Sequence, residues 1–409
     1  MPNLLAYVKE YGHLTFEERP FSPPDSLALT QIVYMPMEGL CTKGKSVTVA
    51  ELSAFLARTH PGTFEDLYQQ KRRVLTDACA ASARFGGLPV LDYFNRVDPA
   101  RETQFCACTF ALPDGGRYVA YRGTDLTVAG WKEDLNMSFM AVPAQGRAVR
   151  YLERAAASFG GPLRLGGHSK GGHLSLYAAA HAAPEAQARI LRAYSFDGQG
   201  VDEATLRGKG YARVKDRIES YIPQSSVVGM LLCYHPVYKV VKSSAVGLLQ
   251  HDALSWQIRD GEFALLDGLD LGTRMTDEAL RQWIDGLSLE QRRKLTDTVF
   301  RVISALESDT LNPLVTDLAS SSLKMLGALR KLDPETRAEM RRMLGELYAL
   351  GAGEAVRMLM FAVTRRAADS PTSPGQFVER IKEKQEGLLE KLVGRKPEEQ
   401  KNDGSSPSS

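Results

Sequence analysis

The sequence predicts an α/β fold, a mostly parallel sheet flanked by helices, with an added helical segment toward the C-terminal end. Strand-like segments alternate with helix-like segments between about residues 100 and 270, which is typical of βαβ units. Beyond about residue 275 the apolar residues recur only at helical spacing. A chain of 409 residues with 44% hydrophobic content is long enough to bury a large core.

The composition limits the class of binding partner and the cellular compartment that we expect. A net charge of +2 gives no general basic field, so nucleic acid is not expected as a partner. The five cysteines are scattered without a CxxC pair, which favours free thiols in a reducing compartment. Cys106 and Cys108 would share one face of a strand, and we interpret them as core residues rather than metal or redox groups. With neither a signal peptide nor an apolar run of ~18 residues, we expect a cytoplasmic protein without a transmembrane segment.

Three regions are predicted along the chain. Residues 1–274 form the main α/β domain, with a mostly helical first part at 1–100. Residues 275–367 form a helical subdomain, and 368–409 a charged, partly disordered tail. Within the first part, Thr48 with Glu51 is a capping box. A later helix in "FEDLYQQKRRVLTDACAASARFGG" is expected to stop at Gly86-Gly87.

The main domain is expected to contain one hairpin and several βα units. The stretch "TQFCACTFALPDGGRYVAYRGTD" predicts two strands around the turn Pro113-Asp114-Gly115-Gly116. A helix in "GRAVRYLERAAASFGG" and one in "KGGHLSLYAAAHAA" follow. The further predicted strands are "PLRLGG", "ILRAYSF", "RIESYIP", "VYKVVKSS" and "SWQIRDGEFALL".

The turn Gly167-His168-Ser169-Lys170-Gly171 fits the pattern G-x-S-x-G. A serine on a sharp strand-to-helix turn has a strained backbone and needs very small neighbours, which the surrounding glycines provide. The start of the following helix would also favour a developing oxyanion. We interpret Ser169 as a nucleophile; the alternative is a polar residue in a structural glycine bend.

A nucleophilic serine needs a histidine base later in the chain. His173 and His181 lie on the helix that follows the serine itself. His235 enters a strand before a proline, whereas His251 falls in a loop where it could reach back over the sheet edge. We therefore favour His251 as the base.

The acid is expected at the end of a neighbouring strand. "RIESYIP" leads into Gln224-Ser225-Ser226, which contains no carboxylate, whereas "ILRAYSF" ends in Asp197. Adjacent strand ends lie only ~5 Å apart, so Asp197 could reach the histidine. The alternative is that Asp197 caps an Asp-Gly turn. Asp252 is a poor candidate because it is adjacent to His251.

The oxyanion hole is expected to use the N–H of Lys170 and an N–H from the loop after an earlier strand. That loop is Arg122-Gly123-Thr124-Asp125, where Thr124 offers its N–H and its hydroxyl. A salt-bridged turn between Arg122 and Asp125 or Asp134 is the alternative, and the two can coexist.

The blocks "YRGTD…GWKEDLNM" and "LGGHSKGGHLSLYAA" resemble the α/β-hydrolase fold, and within it class 3 lipase-like proteins and the bacterial Mbeg1-like (DUF2974) family. "SFDGQG", "YIPQSSVVGMLL" and "QHDALSW" also resemble blocks of that family, so the resemblance covers about residues 25–265. It implies Ser169 as nucleophile, His251 as base, and Thr124 with Lys170 at the oxyanion hole. The chain departs from class 3 lipases at the usual acid position, occupied by Gln224 or Ser225, which leaves Asp197 as the acid by elimination.

These residues predict a serine hydrolase that cleaves an ester or thioester of a lipid-like or acyl substrate without metal or organic cofactor. Two alternatives stay open. A non-catalytic scaffold would explain the missing usual acid, and an acyltransferase would use the same residues with a different acceptor. The helices outside the sheet domain are candidates for a lid or an acyl-binding wall.

Overall fold

The computed structural model describes residues 2–41, 46–62, 64, 67–98, 103–124, 132–133, 136–137, 140–226, 237–245, 247–269, 282–283, 286–303, 324, 327–328 and 331–349. Its central feature is a nine-stranded mixed sheet. In spatial order the strands are β1 (Val47–Thr48), β2 (Pro89–Asp98), β3 (Thr103–Ala111), β4 (Arg117–Tyr121), β5 (Leu163–His168), β6 (Ile190–Phe196), β7 (Ile218–Pro223), β8 (Lys239–Val241) and β11 (Leu265–Leu266).

The sheet is antiparallel at its edges and parallel in its middle. Strands β1 to β4 pair antiparallel, β4 to β8 pair parallel, and β11 closes the far edge antiparallel to β8. A parallel centre entered through an antiparallel meander and covered by helices is an α/β-hydrolase-like architecture, which confirms the predicted fold class.

The helices lie before, between and after these strands. The N-terminal helices are α1 (Leu4–Tyr11), α2 (Pro23–Ile32), α3 (Val49–Thr59) and α4 (Leu67–Ala80). Those of the sheet region are α5 (Pro143–Ser158), α6 (Lys170–His181), α7 (Pro184–Ala188), α8 (Glu203–Arg207) and α9 (Lys209–Val214). Two more, α10 (Leu289–Ile303) and α11 (Pro334–Ala349), lie in the C-terminal region.

Two local predictions were incomplete. Residues 1–100, expected to be mostly helical, end in the ten-residue strand β2, whose apolar and polar residues do not alternate regularly because it is only partly buried. The segment "SWQIRDGEFALL" does not form one strand: β9 (Ile258–Arg259) and β10 (Glu262–Phe263) form a separate hairpin, and only β11 joins the sheet. Asp260 and Gly261, both at positive φ, turn this hairpin.

The ends of the predicted helices were partly correct. Thr48 accepts the Glu51 N–H at 3.1 Å and Glu51 accepts the Thr48 N–H at 2.7 Å, so the capping box is confirmed. Helix α4 ends at Ala80 rather than at Gly86, because the chain turns there: the Gly86 N–H donates to the Ser82 carbonyl at 2.9 Å.

The two faces of the sheet pack into separate cores, as the alternation of side chains along β3 illustrates. Phe105 and Ala107 face the core formed with α5 and α6. Cys106 and Cys108 face the core formed with the N-terminal helices, so the prediction that they share a face is confirmed. Burial raises the pKa of Cys108 well above its usual value, which keeps this thiol protonated.

A buried ion pair connects the N-terminal helices to the turn after α4. Arg84 donates to both carboxylate oxygens of Asp25, at 2.7 and 2.6 Å, and both side chains are fully buried. Tyr7 also donates to Asp25, at 2.7 Å, and Arg84 donates to the carbonyls of Leu14 and Arg19. Every charge in this cluster therefore has a partner, which a buried charge requires.

Polar contacts connect α11 to the residues just before α10, and α10 to the main domain. The indole Nε1 of Trp283 donates to the Met343 carbonyl at 2.6 Å, and Lys132 pairs with Asp297 on α10 at 3.3 Å. Asp333 accepts the Thr336 N–H at 2.8 Å ahead of Pro334, which confirms the predicted start of α11. The predicted tail, 368–409, lies outside the described residues. No helix in the described ranges has the length and apolar character needed to cross a bilayer.

Arg84→Met is expected to lower the free energy of unfolding by about 3–5 kcal/mol, because it leaves the Asp25 carboxylate buried without its cationic partner. Arg73→Met is the matched control: its Asp77 partner is 43% exposed, and such pairs contribute about 0–1 kcal/mol. Urea unfolding followed by circular dichroism measures both. Equal losses in the two variants would contradict the structural role of Arg84.

Candidate active site

Ser169 occupies the reversal between β5 and α6. Its backbone is left-handed, with φ 58° and ψ −132°, a conformation that non-glycine residues rarely adopt. Two backbone hydrogen bonds hold it there: the Ser169 N–H donates to the Phe196 carbonyl at 2.9 Å, and the Ser169 carbonyl accepts the Gly172 N–H at 2.8 Å. The residue as a whole is 9% exposed. This is the geometry of a nucleophile elbow.

Glycines are required around this serine because backbone segments pass very close to one another. A Cβ at Gly167 would lie 2.0 Å from the Gly171 carbonyl carbon, and a Cβ at Gly171 would lie 2.1 Å from the Tyr121 carbonyl oxygen. On the opposite side, a Cβ at Gly123 would lie 2.5 Å from the His168 oxygen and 3.1 Å from the Ser169 Cβ. The loop after β4 therefore runs directly beside Ser169.

Ser169→Gly is expected to raise the free energy of unfolding by about 1–3 kcal/mol relative to Ser169→Ala, because glycine relieves the left-handed strain and alanine retains it. Thermal and urea unfolding of the two variants measure the difference. Equal stability of the two would contradict strain at this position.

His251 and Asp197 meet beside the serine turn. The His251 Nδ1 lies 2.7 Å from the Asp197 Oδ2. Asp197 follows β6 with φ 48°, is 1% exposed, and donates its N–H to the Tyr221 carbonyl at 2.7 Å. Its second oxygen, Oδ1, accepts the Ser226 hydroxyl at 2.5 Å. With the carboxylate ionised, Nδ1 of the imidazole is the donor and Nε2 is the proton acceptor.

The loop that carries His251 is fixed at several points. It includes a 3₁₀ turn, Gly247–His251, and the His251 carbonyl accepts the His168 Nε2–H at 2.8 Å. Gln250 accepts the Ser225 N–H at 2.8 Å through its side chain, and its carbonyl accepts the Trp256 Nε1–H at 2.9 Å. These bonds hold the imidazole against the end of the sheet.

His168 packs beside His251, with ring centroids 4.7 Å apart. Burial is the main cause that lowers the pKa of His168 well below its usual value, with smaller electrostatic contributions from His251 and Arg72. His168 is therefore neutral at physiological pH and holds the His251 loop without competing for its proton.

The residue after the serine forms a second buried ion pair. Lys170 Nζ lies 2.7 Å from Glu133 Oε2, and both side chains are nearly inaccessible. Glu133 also accepts the N–H groups of Gln104 and Ala144, at 2.9 and 3.1 Å. The pair joins the connection between β4 and α5 to the start of α6, where Lys170, one of the two predicted oxyanion donors, lies.

Several predicted residues lie elsewhere or outside the described chain. Arg122 donates to Asn95 Oδ1 at 3.1 Å, while Asp125 and Asp134, its proposed partners, lie outside the described residues. The alternative base His235 is outside them as well. Within the described chain, no group of three or more His, Cys, Asp or Glu is arranged to hold a metal ion.

His173, on α6, is a structural histidine. It contacts the Gly200 carbonyl through Nδ1 at 2.6 Å and Gln145 through Nε2 at 2.9 Å. Full burial lowers its pKa from 6.5 to about 4, only partly offset by its backbone contacts. The imidazole of His173 therefore stays unprotonated in the folded protein at pH values below 6.5, where the same imidazole in the unfolded chain binds a proton.

The contribution of His173 to stability is expected to be complete above pH 6.5 and to be lost as the pH falls toward 4, by up to about 3 kcal/mol. His173→Gln should weaken this pH dependence, while buried His168 still contributes in the same direction. Unfolding free energies at pH 8, 6 and 4.5 measure both proteins. If His173→Gln lost as much unfolding free energy between pH 8 and pH 4.5 as the wild type, the structural role of His173 would be contradicted.

Four residues of this site were not singled out by sequence reasoning. Ser226, Gln250, His168 and Glu133 act only through contacts between distant segments. Ser226 had the clearest signal, since it follows β7, the strand after which the acid of this fold commonly lies. A hydroxyl residue after this strand, together with a carboxylate at the end of the neighbouring strand, is the sequence signal that points to Ser226.

A family model for Mbeg1-like proteins matches residues 79–301, more than half of the chain. The chain belongs to the Mbeg1-like family. The match contains the serine turn, Asp197 and the His251 loop, and it extends into α10. The Mbeg1-like region thus includes part of the C-terminal helical segment as well as the sheet.

Solved structures similar to this Mbeg1-like chain include two lipases. M37 lipase is 13% identical, with a TM-score of 0.34, over 52% of this chain and 70% of its own. The native propeptide complex of Rhizomucor miehei lipase is 13% identical, with a TM-score of 0.29, over 55% of this chain and 82% of its own. No curated protein sequence matches the chain.

Proposed function

We propose that this protein is a serine hydrolase that cleaves an ester or thioester of a lipid-like or acyl substrate. The observation that carries the proposal is the 2.7 Å contact between His251 Nδ1 and Asp197 Oδ2 beside a serine in a left-handed strand-to-helix turn. A histidine oriented by a buried carboxylate next to such a serine is the arrangement that acyl transfer requires.

In the proposed reaction, Ser169 Oγ attacks the substrate carbonyl while His251 Nε2 accepts the serine proton. Asp197 keeps the proton on Nδ1 and stabilises the imidazolium that forms. His251 then gives the proton to the leaving alcohol or thiol, and an acyl group stays on Ser169. Water, deprotonated by His251, releases the acid and regenerates the serine.

The oxyanion is proposed to bind the backbone N–H groups of Lys170 and Thr124. The position of Lys170 at the start of α6 supports this, because the first N–H groups of a helix carry partial positive charge. The closeness of Gly123 to Ser169 supports the second donor. Loss of one such donor costs about 10²–10³ in kcat.

Asp197 is proposed as the acid despite its place on β6. Ser226, which follows β7, donates to the Asp197 oxygen that does not contact His251. The hydroxyl donates a hydrogen bond to one oxygen of the buried carboxylate, and this holds the other oxygen toward the imidazole. A role as orienter therefore accounts for the geometry better than a turn cap does.

We also propose a cytoplasmic location. The supporting observation is chemical: the described cysteines are free thiols, three of them buried. Reducing compartments preserve such thiols.

The first test is labelling of the purified protein by a fluorophosphonate probe, with hydrolysis of 4-nitrophenyl butyrate and a butyryl thioester measured in parallel. Ser169→Ala should abolish labelling, and Ser169→Ala and His251→Ala should each lower kcat by about 10⁴–10⁶. Asp197→Asn should lower kcat by about 10⁴, because it favours the wrong tautomer of His251.

Ser226→Ala tests the support that Asp197 receives, and Ser175→Ala is its matched control. Removing the Ser226 hydroxyl bond to a charged group should lower kcat about tenfold. Ser175 is buried on α6, and its loss should leave kcat unchanged. A well-folded wild type that neither labels nor hydrolyses either substrate would overturn the proposal in favour of a binding scaffold. Faster transfer to an added alcohol than to water would indicate an acyltransferase.

A further inference from the structure

Arg72, on α4, carries a positive charge that no acidic side chain of the described chain neutralises. Its neighbours on the same helix are paired, Lys71 with Asp252 at 2.8 Å and Arg73 with Asp77 at 2.9 Å. Arg72 instead stacks on Tyr34, with Cζ 3.6 Å from the ring centroid, and its Nε donates to Gln31 Oε1 at 3.2 Å. The two terminal nitrogens point to no carboxylate among the described residues.

Tyr34 connects this guanidinium to the serine turn. The Tyr34 hydroxyl lies 2.2 Å from the position that a Cβ at Gly123 would occupy, and the same position lies 3.1 Å from the Ser169 Cβ. Tyr34 is therefore packed against the loop that carries the proposed oxyanion donor. The charge of Arg72 also acts on His168, adjacent to Ser169, where it contributes to the lowered pKa.

Helix α4 also borders the loop of the proposed base. The ion pair between Lys71 and Asp252 connects the residue before Arg72 to the residue after His251. Arg72 thus contacts, through Tyr34, the loop that runs beside Ser169, and the residue before it is paired with the residue after His251. This places the guanidinium on the side of the candidate site that Tyr34 and the His251 loop share.

The chemistry of an unpaired, half-buried guanidinium selects one class of ligand. A charge that is partly removed from water without a counter-ion is costly. The planar fork of arginine matches carboxylate and phosphate oxygens in a bidentate arrangement. Stacking on Tyr34 fixes the plane of this fork before a ligand arrives.

We propose that Arg72 binds an anionic oxygen group, a carboxylate or a phosphate, of the acyl substrate and so makes the enzyme selective for negatively charged esters. This inference rests on the proposed hydrolase function and names its substrate class. Arg72 acts on specificity and takes no part in the proton transfers.

The test compares two esters of the same leaving group, neutral 4-nitrophenyl butyrate and the anionic mono-4-nitrophenyl glutarate. The wild type should prefer the glutarate ester in kcat/KM. Arg72→Met should lower kcat/KM for that ester about 10- to 100-fold, the usual effect of losing a hydrogen-bonded charge partner, and chiefly through KM. Hydrolysis of the butyrate ester should fall much less, because this ester has no anionic group for Arg72 to bind. Arg72→Lys should restore part of the preference, and Arg73→Met should leave both substrates unaffected.

A binding measurement separates this inference from the hydrolase proposal. Calorimetry on Ser169→Ala and on Ser169→Ala with Arg72→Met gives the affinity for the glutarate ester without turnover, and the second protein should bind about 10-fold more weakly or worse. Competition by inorganic phosphate or by glutarate identifies which anion the site prefers. Equal losses for both esters, or no change for either, would overturn the inference, while Ser169-dependent hydrolysis of the butyrate ester would still support the hydrolase.

Discussion

The candidate site depends on one constraint, the chain reversal at Ser169. A parallel strand must end and a helix must begin within one residue, so the serine takes a left-handed backbone and the segments beside it approach to within backbone contact. Only glycine fits at 167 and 171 under these conditions. The hydrogen bond from Ser169 to the Phe196 carbonyl then fixes the reversal to the neighbouring strand, and through it to the position of Asp197.

A second chain reversal with positive φ follows the neighbouring strand. Asp197 follows β6 as Ser169 follows β5, and both have positive φ. A Cβ at Gly198 would lie 2.7 Å from the Ser169 carbonyl oxygen and from the His173 nitrogen, so the two reversals are packed against each other. Since strained backbone persists only where its surroundings over-determine it, this mutual packing lets both residues keep an unfavourable conformation.

Two fully buried ion pairs play different parts. Arg84 with Asp25 joins helices and turns of the N-terminal layer, far from the serine turn in sequence. Lys170 with Glu133 joins the connection between β4 and α5 to the start of α6, the segment that carries one of the proposed oxyanion donors. Buried pairs add little net stability compared with apolar packing, but their geometry is specific. In the second case we expect that specificity to fix where the backbone N–H of Lys170 points.

The sequence by itself determined the parallel centre of the sheet, the hairpin at residues 113–116 and the serine turn, because these depend on local periodicity and on glycine, whose steric demands are local. It also suggested His251 and Asp197, whose hydrogen bond the structure shows, although their catalytic roles stay predictions. Strand β2 was not predicted from the sequence, because the burial of its side chains is irregular. Its extended conformation depends on pairing with β3. The contacts of Ser226, His168, Glu133 and Arg72 were decided by the tertiary structure alone, because each joins segments that only the folded sheet brings together.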